Sequence, residues 1–172
     1  DEDDHAEVHA VAFSPDGNRV VSVSGSPDSV HLWDPTTGKP EDECTADLYN
    51  QFELAMEVRV AFSPTGKTIA TWDSEKLTLF DTSAGMSARK VVSLDALPCG
   101  ATGFGSSGMA FSSDGRYIAI CRADNSIGLY DTFANRQAAL RYTEKVHGSG
   151  SVALSPTAPL MAVAMNDGTI FI

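Results

Sequence analysis

Six residues, Ala12-Phe13-Ser14-Pro15-Asp16-Gly17, return three more times in looser wording, and no other feature of the sequence restricts the fold as tightly. The copies are Ala61-Phe62-Ser63-Pro64-Thr65-Gly66, Ala110-Phe111-Ser112-Ser113-Asp114-Gly115 and Ala153-Leu154-Ser155-Pro156-Thr157-Ala158. Their leading alanines stand 49, 49 and 43 residues apart. A period of this size marks a propeller or solenoid array, whose units are too small to bury their own apolar faces and are covered by their neighbours. A second marker keeps step with the first. Leu32-Trp33-Asp34, Leu79-Phe80-Asp81 and Leu129-Tyr130-Asp131 follow their alanines by 20, 18 and 19 residues.

Within a unit the chemistry is that of short antiparallel strands. Val8, Val11 and Phe13 lead into Ser14-Pro15-Asp16-Gly17, where proline pre-sets φ, aspartate bonds its own backbone and glycine accepts the left-handed region. The valine-rich stretch from Arg19 to Ser24 reads as a second strand, and Val30 to Asp34 as a third. The turn Asp34 to Gly38 recurs at the same length as Asp81 to Gly85 and Asp131 to Asn135. Fourth strands are the least legible. The candidates are Glu43 to Leu48, Ser87 to Leu94 and Ala138 to Glu144, with Ala46 to Met56 open between a helical turn and an irregular strand. In the last copy Ala158 stands where glycine is expected, beside Pro159, which predicts a strained or rebuilt turn. Ile172 takes the place of Leu129, so the aromatic position falls at residue 173. The last unit is therefore expected to be incomplete and the natural protein to continue. The lack of an initiating methionine points the same way.

These markers resemble the WD-repeat family, whose blades are four-stranded antiparallel sheets. The resemblance implies an all-β fold, a partial β-propeller of about four blades with the last incomplete. It spans residues 1–172 as one array, with blades at about 8–48, 57–96, 106–145 and 149–172. It also implies a hydrogen-bond network in each blade, joining a histidine before the first strand, a Ser or Thr of the second, an Asp in the following turn and the Trp of the third. The first copy offers Ser22, Asp28 and Trp33, with His5 one position out of register. The second offers Thr71 with Phe80, the third Asp124 with Tyr130, and the fourth Asp167. Asp34, Asp81 and Asp131 close the third strands. Phe80 cannot donate as an indole N–H does, so packing must hold that blade. The wording VAFSPDGNRVVSVSG and LWDPTTGKP is also similar to repeats of fungal NACHT-type NTPase receptors. That likeness implies a ligand-sensing array with a P-loop upstream.

Composition bounds the partners. A hydrophobic content of 42% and a charged content of 20% over 172 residues describe a soluble globular chain. A net charge of −11 disfavours nucleic acid and makes a basic segment the easier partner, although solubility alone also explains an acidic surface. The acidic run Glu41, Asp42, Glu43, Asp47, Glu53 and Glu57 reads either as a solvated outer strand or as an attraction for such a segment. Cys44, Cys99 and Cys121 are odd in number and widely spaced, which argues against disulfides and zinc and for an intracellular setting, cytoplasmic before nuclear. No apolar run is long enough to span a bilayer, and the acidic start is the opposite of a signal peptide.

Chemistry-bearing constellations are weak. Gly103 to Gly108 matches GxGxxG, but Met109-Ala110-Phe111 begins a strand where a phosphate cradle requires a helix. His5, His9, His31 and His147 show no metal-ligand spacing, and the serines fall mostly in turns. Cys121 reads as buried and inert rather than activated by Arg122. No cofactor, metal or catalytic set is expected, and no membrane or nucleic acid partner. The expected function is a non-enzymatic scaffold for protein–protein interaction, within a larger multidomain protein. Its contacts would lie on one rim, at Asp28, Trp72, Asp73, Glu75, Lys76, Arg122, Asp124, Asn125, His147 and Asp167, with Pro27 and Asn166 beside them. Trp72 is open between a rim anchor and packing between blades. Open blade edges predict self-association. The alternatives are a NACHT-type sensing array, and an enzyme or cofactor binder using the central channel.

Overall fold

Serine and glycine at the repeated turn fold the chain back on itself in the same way three times. Ser14, Ser63 and Ser112 donate their backbone N–H to Arg19, Thr68 and Tyr117, at 2.9, 2.7 and 2.8 Å. Gly17, Gly66 and Gly115 then bond back to the serine carbonyls with φ of 72°, 70° and 71°, a region costly for any residue with a Cβ. Ser14 Oγ locks its turn from inside, donating to Asp16 Oδ1 at 2.6 Å and accepting from the Arg19 amide at 2.9 Å. The fourth turn is rebuilt, as Ala158 predicts. Ser155 N–H still reaches Leu160 O at 2.9 Å, but Ala158 N–H goes to Ser155 Oγ at 3.1 Å and Leu160 N–H to Ala158 O at 2.8 Å.

The computed structural model describes residues 7–25, 28–45, 58–72, 76–82, 90–95, 108–121, 126–133, 139–145, 149–165 and 167–172. All the regular structure among them is strand. The first sheet is β1 (Val8–Phe13), β2 (Val20–Gly25), β3 (Asp28–Trp33) and β4 (Pro40–Thr45), paired in that order. The second is β5 (Arg59–Phe62), β6 (Thr68–Trp72), β7 (Lys76–Asp81) and β8 (Lys90–Asp95). The third is β9 (Met109–Phe111), β10 (Tyr117–Cys121), β11 (Ser126–Asp131) and β12 (Ala139–Lys145). The fourth has β13 (Ser149–Leu154), β14 (Met161–Met165) and β15 (Ile170–Phe171). Every pairing is antiparallel. The expected all-β array of antiparallel sheets is therefore what the chain forms.

The outer strand of the first sheet starts earlier than Glu43. The third turn closes with Gly38 N–H on Asp34 O at 2.9 Å and Asp34 N–H on Lys39 O at 3.0 Å, so pairing resumes at once and sets Pro40 opposite Trp33. The register slips at the same place in three sheets, between Leu32 and Trp33, Leu79 and Phe80, and Leu129 and Tyr130. A bulge there adds local twist and turns the aromatic relative to the leucine. Residues 46–57, which include the ambiguous Ala46 to Met56 stretch, lie outside the described residues.

Three apolar cores fill the three junctions between consecutive sheets. Val21, Val23, Val30 and Leu32 of the first sheet meet Phe62, Ile69 and Phe80 of the second. Ala70, Trp72, Leu77 and Leu79 meet Ile118, Ile120 and Tyr130 of the third. Ala119, Cys121 and Ile127 meet Val152 and Val163 of the fourth. Each inner sheet is thus apolar on both faces, the consequence of stacking units that cannot bury themselves alone. The turns stack too: a Cβ on Gly115 would sit 3.4 Å from Ser63 and Thr65 of the preceding turn, and Ser113 Oγ donates to Pro156 O at 2.9 Å.

Candidate functional site

The register puts the ends of the second strands and the starts of the third at one edge of every sheet. Gly25 faces Asp28 there, and Trp72 faces Leu77 beside the Lys76–Asp95 pair. Cys121 faces Ile127 beside the Ser126–Lys145 pair. Of the rim residues expected from sequence, Asp28 and Lys76 open β3 and β7 at this edge. Pro27, Asp73, Glu75, Arg122, Asp124, Asn125, His147 and Asn166 lie outside the described residues. Asp167 is exposed in the turn from β14 to β15, where its Oδ1 accepts from Thr169 N–H at 2.9 Å and Thr169 Oγ1–H at 2.6 Å.

Trp72 corrects the rim expectation. It is 0% exposed, wedged between the second and third sheets with Ile118, Ile120 and Tyr130, and so cannot be an exposed anchor. Packing between blades, the other reading, is the one the structure adopts. The reason is positional. Trp72 follows the alternation of β6 that also turns Ala70 toward the third sheet, and the next blade covers whatever stands there.

The aromatic network is partly built. Trp33 Nε1–H donates to Ser22 Oγ at 2.8 Å, as the resemblance implies, while His5 lies outside the described residues. In the second sheet Phe80 stands in for the tryptophan and Thr71 for the serine. Thr71 Oγ1 is buried with no hydrogen-bond partner among the described residues, and Trp72 Nε1 shares that condition. The third sheet replaces the hydroxyl by Ile120, buried against Tyr130. One feature went unseen in the sequence: Ser24 Oγ, Ser29 Oγ and His31 Nε2 form a chain at 2.9 and 2.8 Å, and the His31 ring lies 5.6 Å from that of Trp33. The signal for it was spacing, since residues 29, 31 and 33 share one face of a strand.

Two of the aspartates that close the third strands, Asp34 and Asp131, serve turns. Asp34 accepts from Thr36 N–H at 2.7 Å, Thr36 Oγ1–H at 2.6 Å and Thr37 Oγ1–H at 2.9 Å. These donors, the Thr36 hydroxyl first, hold its carboxyl down to about 2. Asp131 is 2% exposed and accepts from Arg116 Nε and Nη2 at 3.3 and 3.0 Å and from Phe133 N–H at 3.0 Å. That hydrogen bond is the main cause raising the Arg116 guanidinium above its ordinary value. Asp81 ends β7 at the same position. The next residue ties two turns together. Thr82 Oγ1 donates to Gly66 O at 2.6 Å, and Thr132 Oγ1 reaches Gly115 O and Arg116 O at 3.0 and 2.8 Å. Asp16 and Asp114 are lowered as well, each first by its turn serine, Ser14 or Ser112.

The remaining chemical candidates resolve into packing. Cys121 is a buried thiol and part of the third-to-fourth-sheet core. Gly108, the last glycine of the GxGxxG match, marks a close approach: a Cβ there would sit 2.9 Å from both Cys121 Sγ and Ser151 Cα. Residues 103–107 lie outside the described set. Among the described residues no group of three or more His, Cys, Asp or Glu is placed to hold a metal ion, and no helix is long and apolar enough to cross a membrane.

Two solved structures share the architecture. A functionally unknown protein from Desulfotomaculum acetoxidans DSM 771 superposes with a TM-score of 0.66 at 18% identity, over 96% of this chain and 54% of its own. A chain of the Mitotic Checkpoint Complex superposes with a TM-score of 0.68 at 20% identity, over 95% of this chain and 48% of its own. At these identities the likeness is one of fold. The chain spans about half the length of the solved structures it matches. No curated protein matches it. Residues 1–170 match the family described as Lactonase, 7-bladed beta-propeller, and the chain, an array of propeller blades by its sheets as well, belongs to that family.

Proposed function

We propose that the array is a non-enzymatic scaffold that holds a protein partner at the edge where second and third strands meet. The observation that carries this reading is how the polar groups are used. Asp16, Asp34, Asp114 and Asp167 spend their carboxylates on the turns around them, and Asp131 spends its own on Arg116 and a turn amide. The connections from second to third strand, by contrast, join a repeated sheet at one edge, where loops are free to vary. Their sequence carries Asp28, Asp73, Glu75 and Asp124 against Lys76 and Arg122, so the chemistry that fits is a basic segment.

The repeat wording supports a WD-type scaffold, or the sensing end of a NACHT-type receptor, inside a longer protein. The half-length match to solved propellers agrees with such an origin. The cysteine usage supports an intracellular, cytoplasmic setting. A test is calorimetric titration with lysine- and arginine-rich peptides at two salt concentrations. Binding that weakens with salt, and that falls in Asp73→Lys and Glu75→Lys, is the expected result. Equal affinity for acidic and basic peptides refutes it.

One observation favours a second reading. The family carries the word lactonase in its description, which points to a propeller that opens a cyclic ester. Hydrolysis of simple lactones, followed at constant pH by base consumption, separates the two. Turnover above the uncatalysed rate replaces the scaffold reading with the enzymatic one.

A further inference from the structure

We draw no further inference here: the strongest candidate, the hydrogen-bonded chain of Ser24 Oγ, Ser29 Oγ and His31 Nε2 on the first sheet, lies on the face turned away from the second sheet with its serines 5% and 3% exposed, and nothing in the structure shows what covers it.

Discussion

Ser22 and Thr71 occupy the same place in consecutive sheets and face opposite circumstances. Ser22 Oγ receives the indole N–H of Trp33 at 2.8 Å, whereas Thr71 Oγ1 is buried in a sheet where Phe80, in the place of Trp33, has nothing to donate. An unmade hydrogen bond costs more than a made one returns, so the two hydroxyls should answer mutation with opposite sign. Ser22→Ala strands the Trp33 N–H and should lower stability by about 1 kcal/mol. Thr71→Val removes a hydroxyl with no described partner at nearly constant shape and should be neutral or stabilising by up to about 1 kcal/mol. Midpoints of urea unfolding decide it, and equal losses in both variants would refute the contrast. The turn carboxylates set a separate expectation. Folding lowers the Asp34 carboxyl from 3.8 to about 2, so its contribution is fully present above about pH 4 and is lost as pH falls through the folded value. Asp16 and Asp114 shift in the same direction. The melting temperature should therefore fall between pH 4 and 2, and fall less in Asp34→Asn. Much of this scale was legible, because turn bonding is local: serine, aspartate and glycine at fixed offsets reach one another within five residues. Trp72 could be read either way, because the residue that buries it stands on another blade about fifty positions along the chain.

At the scale of elements, the first turn and the strands beside it follow from local chemistry, while the outer strand does not. Pro40-Glu-Asp-Glu-Cys-Thr45 has poor strand composition, and its pairing is imposed by the turn that ends at Gly38 and by β3 waiting beside it. Tertiary context also separates turns of nearly identical wording. Gly17 and Gly115 share a φ near 70°, but a Cβ on Gly17 meets nothing within 4 Å, and one on Gly115 meets Ser63 and Thr65 of the neighbouring turn at 3.4 Å. Gly17→Ala should therefore cost only the left-handed penalty, about 1 kcal/mol, and Gly115→Ala visibly more, about 2 kcal/mol. Thermal unfolding of the two variants checks the order. An equal loss in both would mean that the stacked turns give way without cost.

At the scale of the molecule, among the described residues, the second and third sheets carry a core on both faces and the first and fourth on one. In such an array stability is the sum of weak sheets and strong junctions, so opening proceeds from the ends. Amide exchange in a dilute sample should then rank by position. Ala70 and Leu79 in the second sheet, with Ala119 and Leu129 in the third, should exchange most slowly, and Ile170 and Phe171, exposed on β15, fastest. The junction between the inner sheets rests on Trp72, whose truncation to alanine removes about 3–5 kcal/mol of buried contact. Trp72→Ala should therefore do more than loosen β6. It should leave the second and third sheets each with a single working junction and lower protection in both. Val23 and Val30, which pack into the first junction, should lose less, because that core holds none of the tryptophan's neighbours. Uniform loss across all four sheets would show one cooperative unit instead of a row of coupled ones.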